Sequence, residues 1–341
     1  MLFVNVSHKR LRMQTLLQAI LNRASGLRVL VFGDVMLDHY VIGDVYRLSP
    51  EAPVPVVLAR EDVWMLGGAA NVARNLAALG VMVEVAGLVG NDQMGDRLQN
   101  LLAECNILFD GSFHESSIST ICKTRIVAGR QQVCRVDRER PADSYAVNKA
   151  HHLDLIEKAL DSADVLILSD YAKGTLTQPV INRIIKAAKA KSCFVAADPK
   201  PNRPLQYGGA DLLTPNAAEA RVMSGHDPHG TPNWPLTCKA IYGKHAVKNL
   251  VITLGPEGML IARDGQMSKK VPTSAKEVFD VSGAGDTVIA TLSVALASGH
   301  SLEEAVHFAN AAAGIVVGKF GTAVATPAEI LNAARQQCSP Q

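Results

Sequence analysis

The six cysteines of this chain (Cys105, Cys122, Cys134, Cys193, Cys238 and Cys338) form no Cys-x-x-Cys pair and no dense framework. That argues against structural zinc and disulfide bracing, and it fits reduced thiols in a cytoplasm. A dominant charge is missing too. The 34 basic and 32 acidic side chains are scattered along 341 residues for a formal net charge of +2, so no broad field draws the chain to nucleic acid or an anionic membrane. No apolar run reaches the ~20 residues of a membrane-spanning helix; the longest weakly polar stretches, around Val288–Ala297 and Ala309–Gly318, read as buried helices. At the N-terminus the basic run His8-Lys9-Arg10 follows a brief apolar start, the reverse of a secretory signal. Internal repeats and low-complexity segments are absent. So are two common phosphate-binding signatures. Neither Gly243-Lys244-His245 nor Gly318-Lys319-Phe320 completes a Walker-type loop, and the third glycine of a dinucleotide fingerprint is replaced by Val288.

What is present is ample core material. At 48% hydrophobic and 19% charged residues, the chain suits one large α/β domain with an appendage. Leu16, Leu17, Ile20 and Leu21 recur at helical spacing, predicting an amphipathic helix from about Leu11 to Arg23 ahead of a buried strand, Leu27–Phe32, that ends at Gly33-Asp34. Further β-like runs at 83–89, 165–168, 194–197, 212–213, 250–254 and 259–262 alternate with helical patterns. The expectation is a doubly wound, mostly parallel sheet with helices on both faces. Ligands of such sheets bind beyond the carboxyl ends of the strands, where Asp34, Ser169-Asp170, Asp198-Pro199-Lys200, Pro215-Asn216 and Gly255 are expected to collect.

Two segments break this rhythm. Residues 41–60 carry Pro50, Pro53 and Pro55 among alternating valines, and 117–137 read as a hairpin around Ala128-Gly129-Arg130. They predict a small β lid, leaving residues 1–25 as an N-terminal helix and 26–40, 61–116 and 138–335 as the main α/β domain. Its apolar Val54, Val56, Ile121, Ile126, Val133 and Val136 cannot all face a narrow cleft, which predicts a homodimer through lid-on-lid pairing. The proline-bearing stretch 225–237 reads as a surface loop.

The segment Asp280-Val281-Ser282-Gly283-Ala284-Gly285-Asp286 is the most informative. It sets an acid behind a glycine turn that opens an apolar helix. Free N–H groups there attract an anion, and glycines let them approach phosphate oxygens closely. Asp286 is a poor ligand for that anion but a suitable base for a hydroxyl attacking it, a combination that points to phosphoryl transfer. By itself the turn is equally a tight loop before a core helix. A second glycine turn, Gly67-Gly68-Ala69-Ala70-Asn71, also enters a helix. Gly67, Gly68 and Asn71 suit hydrogen bonding to a polyol, whereas the alanines suit close helix packing. Asp34 is suited to two neighbouring hydroxyls or to capping a turn.

Together the motifs Gly-Gly-Ala-Ala-Asn-Val-Ala at 67–73 and Asp-Val-Ser-Gly-Ala-Gly-Asp at 280–286 resemble those of the ribokinase, or phosphofructokinase-B, family, over about residues 26–333. The resemblance implies a ribokinase-like fold with a small inserted β lid, and an ATP- and Mg²⁺-dependent kinase of a small sugar. Strings at 33–38, 49–56, 169–174 and 213–216 are similar to the branch whose members phosphorylate D-glycero-β-D-manno-heptose 7-phosphate at C1 for the lipopolysaccharide core. Some relatives carry a fused C-terminal nucleotidyltransferase; the end at Gln341 resembles the stand-alone form. A kinase of another sugar phosphate and a non-catalytic sugar-binding regulator are the alternatives.

The same resemblance assigns roles. Asp286 is the implied base, with the N–H groups of Gly283, Ala284, Gly285 and Asp286 as the anion hole. Asp34, Asp38, Gly67, Gly68 and Asn71 face the sugar. Asn216 and Glu219 organise Mg²⁺ and its waters, although Asn-x-x-Glu is also a helix capping box. Thr253, Gly255 and Gly258 lie along the nucleotide phosphates, Asn310 lies near the adenine, and Asp280 matches a position that takes potassium in many members. For the sugar phosphate, Arg138, Lys173 and Lys200 follow segments that should end near the cleft, with Lys123, Arg125, Arg130 and Arg135 of the lid as rivals. Thr291 departs from the family pattern, which usually has a smaller residue after Ala290.

Overall fold

The computed structural model describes residues 2–129, 131–227, 230–275 and 277–336. In chain order its elements are α1 (Leu2–Ala24), β1 (Arg28–Gly33), β2 (Val35–Leu48), β3 (Pro55–Gly68), α2 (Ala69–Ala78), β4 (Met82–Ala86), β5 (Val89–Gly90), α3 (Gln93–Glu104), β6 (Leu108–Phe109), β7 (His114–Glu115), β8 (Cys122–Ala128) and β9 (Gln131–Arg138). There follow α4 (Ala150–Ala159), β10 (Val165–Ser169), α5 (Gln178–Ala190), β11 (Phe194–Asp198), β12 (Leu212–Leu213), α6 (Ala217–Ser224), α7 (Trp234–His245), β13 (Asn249–Thr253), β14 (Met259–Arg263), β15 (Gln266–Val271), α8 (Ala284–Ala297), α9 (Leu302–Val316) and α10 (Pro327–Gln336).

The main sheet runs β15-β14-β13-β12-β11-β10-β1-β4-β6. It is parallel from β6 to β13, and β14 and β15 close one edge antiparallel. Successive side chains of a strand point to opposite faces, and both faces here are apolar. Val29 and Val31 of β1, with Val165 and Ile167 of β10, join the core that includes α1, α2, α8 and α9. Leu30, Phe32, Leu166 and Leu168 join the core on the other side, with α4, α5 and α7. Continuous hydrophobic strands follow from this double covering. α8 is the innermost helix, with every residue from Asp286 to Ala295 buried.

β1 lies between β4 and β10, so the chain leaves it once toward each side of the sheet. Such a switch point opens a crevice at the carboxyl ends of the strands, and here it falls between Asp34 and Ser169, whose backbones are bonded at 3.1 Å.

A second sheet, β3-β2-β8-β9, carries the segments read as a lid. β2 and β3 pair antiparallel from Val35–Gly68 outward to Leu48–Pro55, so this ribbon grows directly out of the switch point rather than starting near residue 41. β8 adds to β2 in parallel and β9 folds back on β8 through a turn at Gly129, whose φ is 62°. Arg130 lies outside the described residues. Among the described helices, none is long and apolar enough to cross a membrane.

Candidate active site

Two glycine turns meet at the switch point. Gly283 has φ 75° and precedes α8, whose first i→i−4 bond is Thr287 N to Gly283 O at 3.0 Å. The N–H groups of Gly285 and Asp286 stand ahead of that bond, free of the helix ladder as in any first turn. Gly285 is exposed and a Cβ there would meet nothing within 4 Å, so the turn is open to an incoming anion.

Asp286 itself is more enclosed than the sequence suggests. It is only 3% exposed and both carboxylate oxygens are engaged. The Asn71 side chain donates to Oδ2 at 2.6 Å, and the Tyr171 hydroxyl donates to Oδ1 in a short bond. Burial pushes the Asp286 carboxyl up to about 6; the bonds from Tyr171 and Asn71 work against that rise and Asp38 adds to it. The expectation of a carboxylate facing an open cleft is therefore corrected: in this conformation a tyrosine covers it.

α2 and α8 are fastened by a polar seam. Besides Asn71–Asp286, Thr287 donates to Asn75 Oδ1 at 2.7 Å, and Asn75 donates to the Asn71 carbonyl at 2.9 Å. Gly283 is required by the same contact, since a Cβ there would stand 2.7 Å from Asn71 Nδ2. Asn71 Oδ1 is buried without a hydrogen-bond partner among the described residues, an acceptor left for a ligand hydroxyl. Thr291 disturbs nothing: its hydroxyl bonds back to the Thr287 carbonyl at 2.6 Å.

Asp34 departs from its expected role. Its carboxylate accepts the backbone N–H groups of Tyr171, Lys173 and Thr175 at 2.8, 3.0 and 3.0 Å and is wholly buried. It therefore straps the loop after β10 rather than receiving a pair of hydroxyls. Asp170 braces the same loop through Ala172 N at 2.7 Å, and Ala172 takes a φ of 56° as a result. Burial, with Asp34 adding, pushes the Asp170 carboxyl up to about 6.

Beyond β11 lies a cluster of acids. Burial pushes the Asp198 carboxyl up to about 7; Lys200 opposes this, while Glu219 and Asp286 reinforce it. Asn216 and Glu219 form a complete capping box on α6, with Asn216 Oδ1 accepting Glu219 N at 3.0 Å and Glu219 Oε2 accepting Asn216 N at 2.7 Å. Glu219 Oε1 pairs with Lys200. Burial works against the Lys200 charge, yet Asp198, Glu219 and Asp286 hold its ammonium above the ordinary value. Lys200 thus belongs to the acidic side of the site and not, as expected, to a basic group for the sugar phosphate.

The basic group lies elsewhere. Lys123 and Arg125 of β8 approach Asp38, Arg125 through an ion pair. Gly67 makes room, since a Cβ there would lie 2.6 Å from Asp38 Oδ2; Gly68 takes φ 56°, and a Cβ on it would lie 2.3 Å from the Asp34 carbonyl. Burial pushes the Lys123 ammonium down; Asp38 opposes this, while Lys173 and Arg125 add to it. Among the described carboxylates none lies within ion-pair distance of Lys123. Lys173 pairs with Glu139 at 2.5 Å, and Arg138 is exposed at the end of β9.

On the nucleotide side, Gly255 and Gly258 flank a short 3-10 turn between Thr253 and Met259, with φ 58° and 95°. Asn310 is committed to protein: it donates to the Pro272 carbonyl at 2.7 Å and accepts Ser274 N at 3.1 Å. It shapes the loop after β15 instead of offering its amide to a base. Asp280 accepts Ser282 N at 2.9 Å and Gly321 N at 3.0 Å beside the anion turn. Sequence reasoning missed Tyr171 as a member of the site, since no spacing marks it; Asp198 was expected at the strand ends of the cleft but without a role of its own.

The pfkB family carbohydrate kinase model matches residues 27–329. The bifunctional protein HldE of Paramagnetospirillum magneticum is 41% identical over 327 residues, 95% of this chain and 67% of that protein. Its namesake in Helicobacter hepaticus is 44% identical over 310 residues, 89% of this chain and 63% of that protein. The chain spans about two thirds of the length of these relatives. Phosphofructokinase-2 from Escherichia coli in complex with potassium superposes with a TM-score of 0.73 at 20% identity, covering 91% of this chain and 98% of that one. The ribokinase of Arabidopsis thaliana complexed with ribose and ATP gives 0.70 at 20% identity, covering 91% and 99%. These two likenesses establish the ribokinase-like fold.

Proposed function

The chain belongs to the pfkB family of carbohydrate kinases, and from that premise we propose that it transfers the γ-phosphoryl group of ATP to C1 of D-glycero-β-D-manno-heptose 7-phosphate. The observation that carries the reading is the meeting of Asp286 and Asn71 under the open first turn of α8. Asp286 takes the proton of the C1 hydroxyl as its oxygen bonds to the γ-phosphorus and the bond to the bridging oxygen of ADP breaks. The N–H groups of Gly285 and Asp286 serve the charge that builds on the phosphoryl oxygens, whereas that of Ala284, expected to join them, is bonded to the Val281 carbonyl at 3.2 Å. Asn71 Oδ1 accepts a sugar hydroxyl, and Asp38 and Gly67 line the same side.

The donor set on the other side suits a hard divalent cation. Asp198 and Glu219 are buried carboxylates gathered around a single lysine, with Asp198 pushed up to about 7 by burial against the opposing charge of Lys200. Asn216 and Glu219 would hold Mg²⁺ through water, and the ion when bound supplies charge neutralisation on the phosphates. Lys200 accompanies the nucleotide phosphates. Lys123 and Lys173 bind the phosphate of the sugar, with Arg138 at the rim; the partly buried Lys123 ammonium, with no described carboxylate in ion-pair distance, is a natural partner for a dianion, and Lys173 would exchange Glu139 for it. Asp280 would hold potassium, a role that rests on the family resemblance of its motif alone.

The heptose itself rests on the sequence strings that resemble that branch of the family, with its product entering ADP-heptose synthesis. Incubation of purified protein with ATP and a panel of sugar phosphates, read by ³¹P NMR, tests it. The expected product from the heptose phosphate is the 1,7-bisphosphate. Turnover of a ketohexose phosphate in preference to it would replace the substrate and keep the chemistry.

A homodimer through the second sheet completes the proposal. Tyr46, Leu48, Leu58 and Val136 are 70, 65, 61 and 55% exposed on it, with Val54 51% exposed in the turn between β2 and β3, a concentration of apolar surface that pairing with a second copy would cover.

A further inference from the structure

Beyond the kinase assignment on which it rests, we infer that Tyr171 is a lock on the catalytic base, holding Asp286 with its hydroxyl where the acceptor hydroxyl of the sugar must later sit. Both oxygens of Asp286 are engaged, Oδ2 by Asn71 and Oδ1 by Tyr171. Asn71 is wholly buried on the first turn of α2, and its backbone carbonyl is tied into the α2–α8 seam through Asn75, so it has less room to turn than a side chain on a loop. The position taken by Tyr171 is the one from which a substrate could replace a donor like for like.

The backbone of the loop does not move to permit this. Three N–H bonds to Asp34 and one to Asp170 hold residues 171–175. Release therefore comes from rotation of the Tyr171 side chain, which turns on two single bonds. Two ammonium groups stand over its ring, Lys123 at 5.4 Å and Lys200 at 5.6 Å from the centroid. Each such contact favours the ring where it is. Lys123 stands on the side of the basic group and Lys200 beside Glu219. A sugar phosphate draws the first away and a nucleotide triphosphate the second, so both substrates loosen the ring. With ATP alone, the locked base cannot deprotonate water.

ATP hydrolysis without sugar reads the lock directly. In that side reaction a water oxygen bonds to the γ-phosphorus, the bond to ADP breaks, and Asp286 takes the proton. Tyr171→Phe keeps the ring and removes the donor, and is expected to raise sugar-free hydrolysis on the order of tenfold or more, a gain lost again in Tyr171→Phe/Asp286→Asn. Hydrolysis equal to wild type, or a gain that survives loss of Asp286, overturns the lock. Phosphate transfer by the wild-type protein to sugar is scored separately, so the kinase reading stands or falls on its own.

A second readout uses pH. Asp286 faces Asp38 on β2, Tyr171 after β10, Asp198 at the end of β11 and Lys200 just beyond it. The Tyr171 hydroxyl stabilises its ionised form in the free enzyme only. The acid limb of kcat/KM should move to higher pH in Tyr171→Phe while that of kcat stays, and a parallel shift of both overturns the proposal.

Discussion

Asn71 and Asp286 stand 215 positions apart in the chain, yet the amide of one lies 2.6 Å from the carboxylate of the other. The contact joins the first turn of α2 to the first turn of α8, and each turn is entered through a glycine at positive φ, Gly68 and Gly283. A Cβ on Gly283 would strike the Asn71 amide and strain a backbone at φ 75°. Gly283→Ala should therefore cost about 1–2 kcal/mol of stability from the backbone alone. It should also lower kcat more than it lowers Tm, by turning Asn71 off Asp286. Thermal melts beside steady-state kinetics separate the two effects.

Replacing the base leaves its surroundings intact. Asp286→Asn keeps one acceptor and turns the other contact round, its NH2 donating to the Tyr171 oxygen or to the Asn71 Oδ1 that has no partner among the described residues, so the fold and ATP binding should persist. The loss falls on the proton transfer, and kcat should drop by about 10²–10⁴-fold. Calorimetric titration with ATP alongside turnover measurements checks this, and a variant of near-normal kcat would remove Asp286 from the chemistry.

The acid limb of activity has a definite place. The Asp286 carboxyl is pushed up to about 6, chiefly by burial, so the base is ionised above that pH and protonated below it. The pH profile of kcat/KM should fall on the acid side with a midpoint near that value. Retention of full activity well below it would mean that another group accepts the proton.

Stability should run the opposite way from activity. Asp170, Asp198 and Asp286 sit at about 6, 7 and 6 in the fold, above the ordinary aspartate value of 3.8. Between those values the native state binds more protons than the unfolded chain, so these groups make stability rise as pH falls from neutrality toward 4. Asp198→Asn removes one such cost and should add on the order of 1 kcal/mol at pH 8, with less gain at pH 5. Melting curves at the two pH values test the sign. The same substitution should weaken Mg²⁺-dependent nucleotide binding.

The two lysines over the Tyr171 ring should part company on mutation. Lys123→Ala is expected to raise KM for the sugar phosphate by about 10–100-fold with little change in KM for ATP, since charge-assisted bonds contribute roughly 1.5–3 kcal/mol. Lys200→Ala should affect ATP and kcat instead. Equal effects of both on both substrates would merge the two sites.

On the second sheet, Leu58→Asp places a charge in the exposed apolar surface. If that surface pairs two copies, light scattering behind a sizing column should show the mass fall from twice that of the chain to once, with the melt of the main sheet unchanged.

The local patterns in this chain were legible because they rest on neighbours in sequence. Strands such as Val165–Ser169 announce themselves by unbroken apolar runs, and the helix behind Gly283-Ala284-Gly285 by the glycines that admit an anion. The Asn216–Glu219 box lies within one turn, so its reading as a cap needed nothing distant. What the tertiary structure alone decided are the contacts between strand ends. Asp34 could have met a ligand or a loop, and the strand pairing that sets β10 beside β1 gave it to Tyr171, Lys173 and Thr175. Lys200 was drawn to Glu219 because the parallel order β10-β11-β12 brings those loops to one edge. No spacing encodes either choice. A buried charge takes whichever partner the fold brings within a few ångströms, and that depends on the path of the chain between them.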